Sequence, residues 1–265
     1  MNIDQKYELL KNKLKEMGKV LVAYSGGVDS NFLLKVASDV LGENAVAVTV
    51  HAMMHSSREI EEAKEYTKEF GVKHEVIKVD NFDEKGFIEN GVKRCYYCKC
   101  AVFNMIKDYA QKNGIKYILD GTNLSDLGDY RPGLKALEEL NVVSPLKDSE
   151  LTKDEIRILS KRLGLKTHNK PSFACLASRI PYGDKITEEK LRLVEEAENY
   201  LQDLGFRQYR VRIHSDIARI EVAKDEINKF FDDEMMKNVY TKLKDIGFKY
   251  VTLDLNGYEM GSLNK

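Results

Sequence analysis

The sequence predicts an α/β fold, a parallel sheet covered by helices over residues 1–165, followed by a smaller α+β unit over 187–265. Three observations predict it. Up to residue 146, short apolar runs alternate with amphipathic stretches of helical period, the pattern of successive βαβ units. The run 45–50 is apolar at nearly every position, as a strand buried on both faces must be. Beyond residue 187 the order becomes helix, strand, strand, helix, strand, and a short turn at Ser215-Asp216 joins the first two strands.

Taken in order, 19–24 reads as a strand. Residues 29–41 read as a helix with Phe32, Leu33, Val36 and Val40 on one face. After the strand 45–50, residues 57–70 form a charged helix with Ile60, Ala63 and Thr67 along one stripe, and 73–79 form a strand. A long helix covers about 95–112. The strand 115–120 follows and ends at Gly121-Thr122-Asn123. Residues 142–146 read as a short strand ending at Pro145. Thr152-Lys153-Asp154-Glu155 has capping-box spacing and opens a helix to about residue 163. The polar segment 166–186, with Pro171 and Pro181, reads as a functional loop bridging two domains. In the smaller unit, strands 208–214, 217–222 and 249–255 predict an antiparallel sheet, with one helix over 225–245.

The 265 residues can bury a core without disulfides, and 43% apolar with 32% charged residues describes a folded, soluble chain. The formal net charge of −1 supplies no global field for nucleic acid, so any anion site must be local. No apolar run of membrane-spanning length occurs, and 1–15 is charged and amphipathic without a signal-peptide core. A cytoplasmic location is expected, with no membrane partner. A homo-oligomer is also expected, the smaller domain serving substrate binding or oligomer contact.

The chemistry begins at Ser25-Gly26-Gly27-Val28-Asp29-Ser30, between the first strand and helix. Gly26 and Gly27 allow successive N–H groups to aim into one concavity, and the helix adds its positive N-terminal end. Ser25 and Ser30 add hydroxyl donors, so a polyphosphate such as that of ATP fits. Asp29 would repel phosphate unless a cation lay between them, which marks it as a Mg²⁺ contact. The loop is expected to be exposed, with no core partner for Asp29. It lacks the Gly-Lys-Ser/Thr of the common phosphate-binding loop, so no lysine of the motif reaches the outer phosphates and γ-phosphoryl transfer is disfavoured. The hexapeptide resembles the signature of the PP-loop ATP pyrophosphatases. That resemblance implies a Rossmann-like domain and adenylation of a substrate oxygen with release of pyrophosphate. It also implies that 45–50 and the loop after it hold the adenosine. Gly121, Thr122 and Asn123, with Asp126, match a second nucleotide-side loop of such enzymes, although Gly-Thr-Asn also simply ends strands.

Four cysteines, Cys95, Cys98, Cys100 and Cys175, are too few for a disulfide framework. Cys95 and Cys98 are three apart and face the same way on a helix, while Cys100 points elsewhere. Arg94, Lys99 and Arg179 place positive charge beside the thiols and favour thiolates. Four readings stand side by side: inert thiols, a zinc site completed by Cys100 or His168, a dithiol–disulfide switch on Cys95 and Cys98, and an iron–sulfur cluster on Cys95, Cys98 and Cys175.

The phosphate loop, Arg94-Cys95-Tyr96-Tyr97-Cys98-Lys99, the segment from Pro171 to Arg179, and the tail from Asp254 to Asn264 together resemble the LarE family of ATP-dependent sulfur transferases. The resemblance covers essentially the whole chain. It implies that ATP adenylates a carboxylate of a pyridinium biscarboxylate mononucleotide, and that sulfur then displaces AMP to leave a thiocarboxylate in nickel-pincer nucleotide biosynthesis. Members with only the cysteine matching Cys175 sacrifice its sulfur. Members with all three use a 4Fe-4S cluster carrying an extra sulfide, and this sequence has all three. Sulfide or another sulfur donor is the implied second partner. Cys100 lies outside the pattern.

Arg210, Arg212 and His214 alternate along a predicted strand and share one face, which could grip a substrate phosphate. The plainer reading is a solvated face balanced by Asp216 or Glu221. The LarE resemblance implies that this region faces the active site and favours the phosphate. Three rival functions remain: a tRNA thiolase, against which the balanced charge argues; an ammonia-using ligase without sulfur; and a nucleotide-sensing or zinc-stabilised binding module.

Overall fold

The computed structural model describes residues 1–128, 132–171 and 174–259. The chain divides into two compact units, 1–84 with 93–173, and 85–92 with 174–265. The expected bridging segment 166–186 therefore falls partly in each.

The first unit begins with α1 (Ile3–Met17), capped by Asn2 through a capping box with Gln5. Then come β1 (Val20–Ala23), α2 (Val28–Leu41), β2 (Ala45–His51), α3 (Ser57–Glu69) and β3 (Lys73–Lys78). The short α4 (Lys85–Ile88) belongs to the second unit. Back in the first unit lie α5 (Arg94–Lys112), β4 (Tyr117–Leu119), α6 (Pro132–Glu139), α7 (Pro145–Asp148) and α8 (Lys153–Arg162). The four strands are all parallel, in the order β3-β2-β1-β4. Strand alternation divides the core. Val20 and Val22 of β1 with Ala45 and Ala47 of β2 face one cluster, with Leu10, Leu14, Phe32 and Leu33. Leu21, Val46, Val48 and Val50 face another, with Phe103, Ile106 and Ala110 of α5.

The expected strand at 142–146 reduces to a single parallel bridge between Leu119 and Val143. It lies beside β4 as a strand there would, with Asp120 and Val143 amides closing the ladder. Pro145 then opens α7, because a proline can start a helix but cannot donate to a strand ladder.

The second unit contains α9 (Glu188–Asp203), β5 (Tyr209–His214), β6 (Ile217–Val222), α10 (Asp233–Ile246) and β7 (Tyr250–Leu253), with sheet order β5-β6-β7. Two expectations are corrected here. The sheet is mixed, since β6 pairs antiparallel with β5 but parallel with β7. The helix connecting β6 to β7 carries the chain back to the same end, which makes that pair parallel. That helix is also broken. A 3₁₀ stretch, Lys224–Phe231, precedes α10, and Asp232 caps the new helix by accepting from the Met235 amide. Among the described residues no helix is long and apolar enough to cross a membrane.

Candidate active site

In an open parallel sheet, ligands bind beyond the carboxyl ends of the strands, where neighbouring connections diverge. Here β1 lies between β2 and β4, and the loops leaving β1 and β4 are two of the three that the sequence marks for the nucleotide, the third being the one after β2. They touch. A side-chain carbon on Gly121 would lie 3.0 Å from the Ser30 amide nitrogen and 3.2 Å from Asp29 Cβ, so only glycine permits this approach.

The loop after β1 has the geometry of an anion cradle. Gly26 takes φ +70° and nests against Ala63 of α3, where a Cβ would lie 3.1 Å from that methyl. Gly27 is the extended N-cap of α2 and offers no side chain to its amides. The Ser25 and Ser30 hydroxyls lie 3.0 Å apart, and Val28 is buried beneath them. Below the loop, Thr49 donates to the Tyr24 carbonyl (2.6 Å), and the Tyr24 hydroxyl donates to Asn31 (2.6 Å).

Asp29 is half-buried, and the expectation that it has no partner is wrong. Its Oδ2 accepts from Lys153 Nζ at 2.6 Å. Lys153 opens α8, whose capping box through Thr152 and Glu155 forms as the sequence predicts. Burial raises the Asp29 pKa, against the opposing effect of Lys153. Among the described residues, Asp29 Oδ1 is buried with no hydrogen-bond donor. An orphaned carboxylate oxygen at the mouth of an anion cradle fits a divalent cation.

The loop after β4 is held from below. Asp120 accepts from Thr122 and from Ser144 (2.6 Å), and the Asn123 amide donates to Asp126 (3.0 Å). The Lys153 amide donates to Ser125 Oγ (3.0 Å), tying this loop to the residue that holds Asp29. A second lysine, Lys170, also reaches the cradle, with Nζ 2.6 Å from Glu62 and 3.5 Å from the Gly26 carbonyl. Neither lysine is visible in the motif, because each comes from a segment more than a hundred residues away.

Cys95 and Cys98 lie in the first turn and a half of α5, both half-buried. Cys100 shares that helix. The Tyr96 hydroxyl donates to Glu139 (2.6 Å), which raises the phenol's pKa, with Cys100 beside it acting in the same direction. Cys175 belongs to the second unit, half-buried at the start of the 3₁₀ turn Leu176–Arg179. Its carbonyl accepts from Arg179 (3.0 Å), whose guanidinium is gripped bidentately by Glu198 at 2.8 and 2.7 Å. Ser172 and Phe173 of the cysteine-bearing segment, and residues 260–264 of the tail motif, lie outside the described residues. Among the described residues no group of three His, Cys, Asp or Glu side chains is gathered within either unit as a metal site.

Arg210 and Arg212 are both buried, so the face they share is not a solvated one. Arg212 donates from Nε to Glu221 (2.5 Å) and from a terminal nitrogen to the Ser178 carbonyl (2.9 Å). Of the two balancing acids expected, Glu221 fills that role, while Asp216 pairs with Lys249. Arg210 lies over the Tyr258 ring at 5.0 Å and has its pKa lowered, first by burial and then by Arg179. His214 is half-buried beside them, its pKa also lowered by burial.

A family model described as a PP-loop domain matches residues 1–128. A protein of Synechocystis sp. is 41% identical over 263 residues, 99% of this chain and 98% of its own length. The pyridinium-3,5-bisthiocarboxylic acid mononucleotide synthase of Lactiplantibacillus plantarum is 38% identical over 254 residues, 95% of this chain and 91% of its own. A protein of Methanocaldococcus jannaschii is 32% identical over 252 residues, 94% of this chain and 95% of its own.

Proposed function

This chain belongs to the LarE family of PP-loop sulfur transferases, and on that premise we propose that it adenylates a carboxylate of a pyridinium biscarboxylate mononucleotide and exchanges the AMP for sulfur. The observation that carries the reading is the cradle after β1, with Gly26 left-handed, Gly27 capping α2 and an orphaned Asp29 oxygen at its mouth.

ATP binds with its polyphosphate on the amides at the start of α2. Ser25, Ser30 and the 121–123 loop complete that side. Asp29 would hold Mg²⁺, whose charge would offset that of the phosphates. A substrate carboxylate oxygen attacks the α-phosphorus, the bond to the bridging oxygen breaks, and acyl-AMP and pyrophosphate result. AMP is a far better leaving group than hydroxide, so a sulfur nucleophile can then displace it. Arg210 and Arg212 serve the substrate's phosphate.

Three thiolates, from Cys95, Cys98 and Cys175, suit a 4Fe-4S cluster by donor chemistry. Held by those three thiolates, a cluster would supply an open iron position for sulfide. The fixed backbone around Cys175, held by Arg179, orients that thiol. Sulfide comes from a separate donor, the enzyme works in the cytoplasm, and its copies associate as a homo-oligomer.

The test is pyrophosphate release with the biscarboxylate mononucleotide, together with metal analysis of anaerobically purified protein. About four irons per chain are expected. Cys95→Ser, Cys98→Ser and Cys175→Ser should each strip most of the iron, and Cys100→Ser should retain it. Zinc without iron overturns the cluster, and absence of pyrophosphate release overturns the adenylation.

A further inference from the structure

Lys170 stands in the segment that the adenylation chemistry leaves without a role, yet its surroundings are built with care. The turn from Lys166 to Asn169 is fastened at both ends. Thr167, fully buried, accepts from Asn31 Nδ2 at 2.9 Å, and Asn31 is itself fixed by the Tyr24 hydroxyl. Arg157 of α8 donates to the His168 carbonyl (2.7 Å) and the Lys170 carbonyl (2.9 Å). The Lys170 backbone is thus tied to α2 and α8, the two helices that also carry Asp29 and Lys153.

The side chain spends that fixed origin on the phosphate loop. It is only 14% exposed, and its ammonium lies between Glu62 of α3 (2.6 Å) and the Gly26 carbonyl (3.5 Å). Glu62 is the more exposed partner at 36%. It lies one residue before Ala63, against which the left-handed Gly26 is seated. An ammonium is a compact donor of three hydrogen bonds, and a half-exposed carboxylate holds it only weakly. A polyphosphate seated on the Gly26–Gly27 amides would bring several negative charges close to that ammonium, which lies 3.5 Å from the Gly26 carbonyl.

We propose that Lys170 is a catalytic residue of the adenylation half-reaction. On nucleotide binding it leaves Glu62 for the outer phosphate oxygens and stabilises the pyrophosphate as the bond from the α-phosphorus breaks. The motif's missing lysine is thereby supplied from the other end of the domain. The proposal rests on the adenylation reading and deepens it. Lys153, in contrast, sits on the metal-binding carboxylate.

The experiment is titration calorimetry of the full chain with ATP·Mg²⁺, inorganic pyrophosphate and AMP. Lys170→Met should weaken ATP and pyrophosphate binding roughly tenfold or more, the size expected for one charge-assisted contact. AMP, which lacks the outer phosphates, should bind as before. Lys170→Arg should recover most of the loss, and Glu62→Gln should leave ATP affinity unchanged or raise it. If Lys170 merely ties the turn to α3, Lys170→Met and Glu62→Gln should weaken ATP alike, or Lys170→Met should weaken AMP as much as ATP. Either result overturns the proposal. Normal ATP binding by Lys170→Met overturns it as well but leaves adenylation standing. Failure of the unmodified chain to bind ATP removes both.

Discussion

At the scale of single residues, the cradle combines groups of its own loop with two lysines from distant segments, Lys153 on Asp29 and Lys170 near Gly26. The pair Gly26-Gly27 and the position of Asp29 announce themselves because loop chemistry is local, set by φ, side-chain size and the start of a helix. Lys153 is 124 residues from Asp29, and nothing in the spacing of a motif can report a contact made by folding. Gly121 shows the difference. As sequence it ends a strand. In the structure its missing side chain lets the loop after β4 meet the Ser30 amide. Gly121→Ala should therefore act on nucleotide binding more than on folding. Its methyl would press on backbone, which cannot turn aside as a flexible side chain can, so the cradle must open by a few tenths of an ångström. Since the cost falls at the cradle amides, ATP affinity should drop on the order of tenfold, about 1.4 kcal/mol, while the unfolding midpoint moves little. Calorimetric titration and thermal unfolding of the same variant check this. Unchanged affinity with a large loss of stability would mean that the contact is only packing.

At the scale of elements, periodicity recovered the parallel sheet because strands buried on both faces leave an unmistakable apolar signature, as at Ala45–His51. It failed where a few residues decide. Val142 and Val143 look like a strand, but Pro145 ends the ladder after one bridge. The stretch after β6 looks like one helix, but Asp232 caps a new one. Parallel pairing of β7 depends on which way the chain returns, which no local pattern encodes. The capping box at Thr152 was legible, and it bears on function because Lys153 is the first residue of that helix. Thr152→Ala removes the acceptor for the Glu155 amide, and such caps contribute about 1 kcal/mol. The N-terminus of α8 would then fray where Lys153 meets Asp29 and Ser125. A modest fall in unfolding midpoint should accompany a several-fold rise in the KM for ATP, with kcat less affected. Thr152→Ser, which keeps the acceptor, should restore both.

At the scale of the whole molecule, the buried polar groups of the first unit determine how its stability responds to acid. His74 of β3 sits between two hydroxyls, Thr49 at 2.8 Å and Thr67 at 3.0 Å. Because Thr49 donates to the Tyr24 carbonyl, Nε2 of a neutral ring donates to Thr49, and Nδ1 accepts when the Thr67 hydroxyl turns to it from the Ala63 and Lys64 carbonyls at 3.1 and 3.0 Å. A protonated ring would present two donors. Desolvation lowers His74 from 6.5 to about 4. His55, after β2, is likewise lowered to about 4, by burial first and by His51 second, with its Nδ1 accepting from the Ala52 amide. Both folded values lie below the unfolded one, so the unfolded chain takes up protons first as pH falls. The stability these rings confer is whole above pH 6.5, declines through the interval from 6.5 to about 4 and is lost below it. For His55 the shift corresponds to roughly 3 kcal/mol, and His74 contributes in the same direction. Urea unfolding of the first unit, followed from pH 7.5 to 4, should show its free energy falling across that interval. His55→Gln and His74→Gln should each flatten the slope whatever they do to stability at pH 7.5, because a glutamine binds no proton in either state. An undiminished slope in the double variant would assign the acid sensitivity to carboxylates held low in the fold, such as Glu155, and would show that the histidines titrate alike in both states.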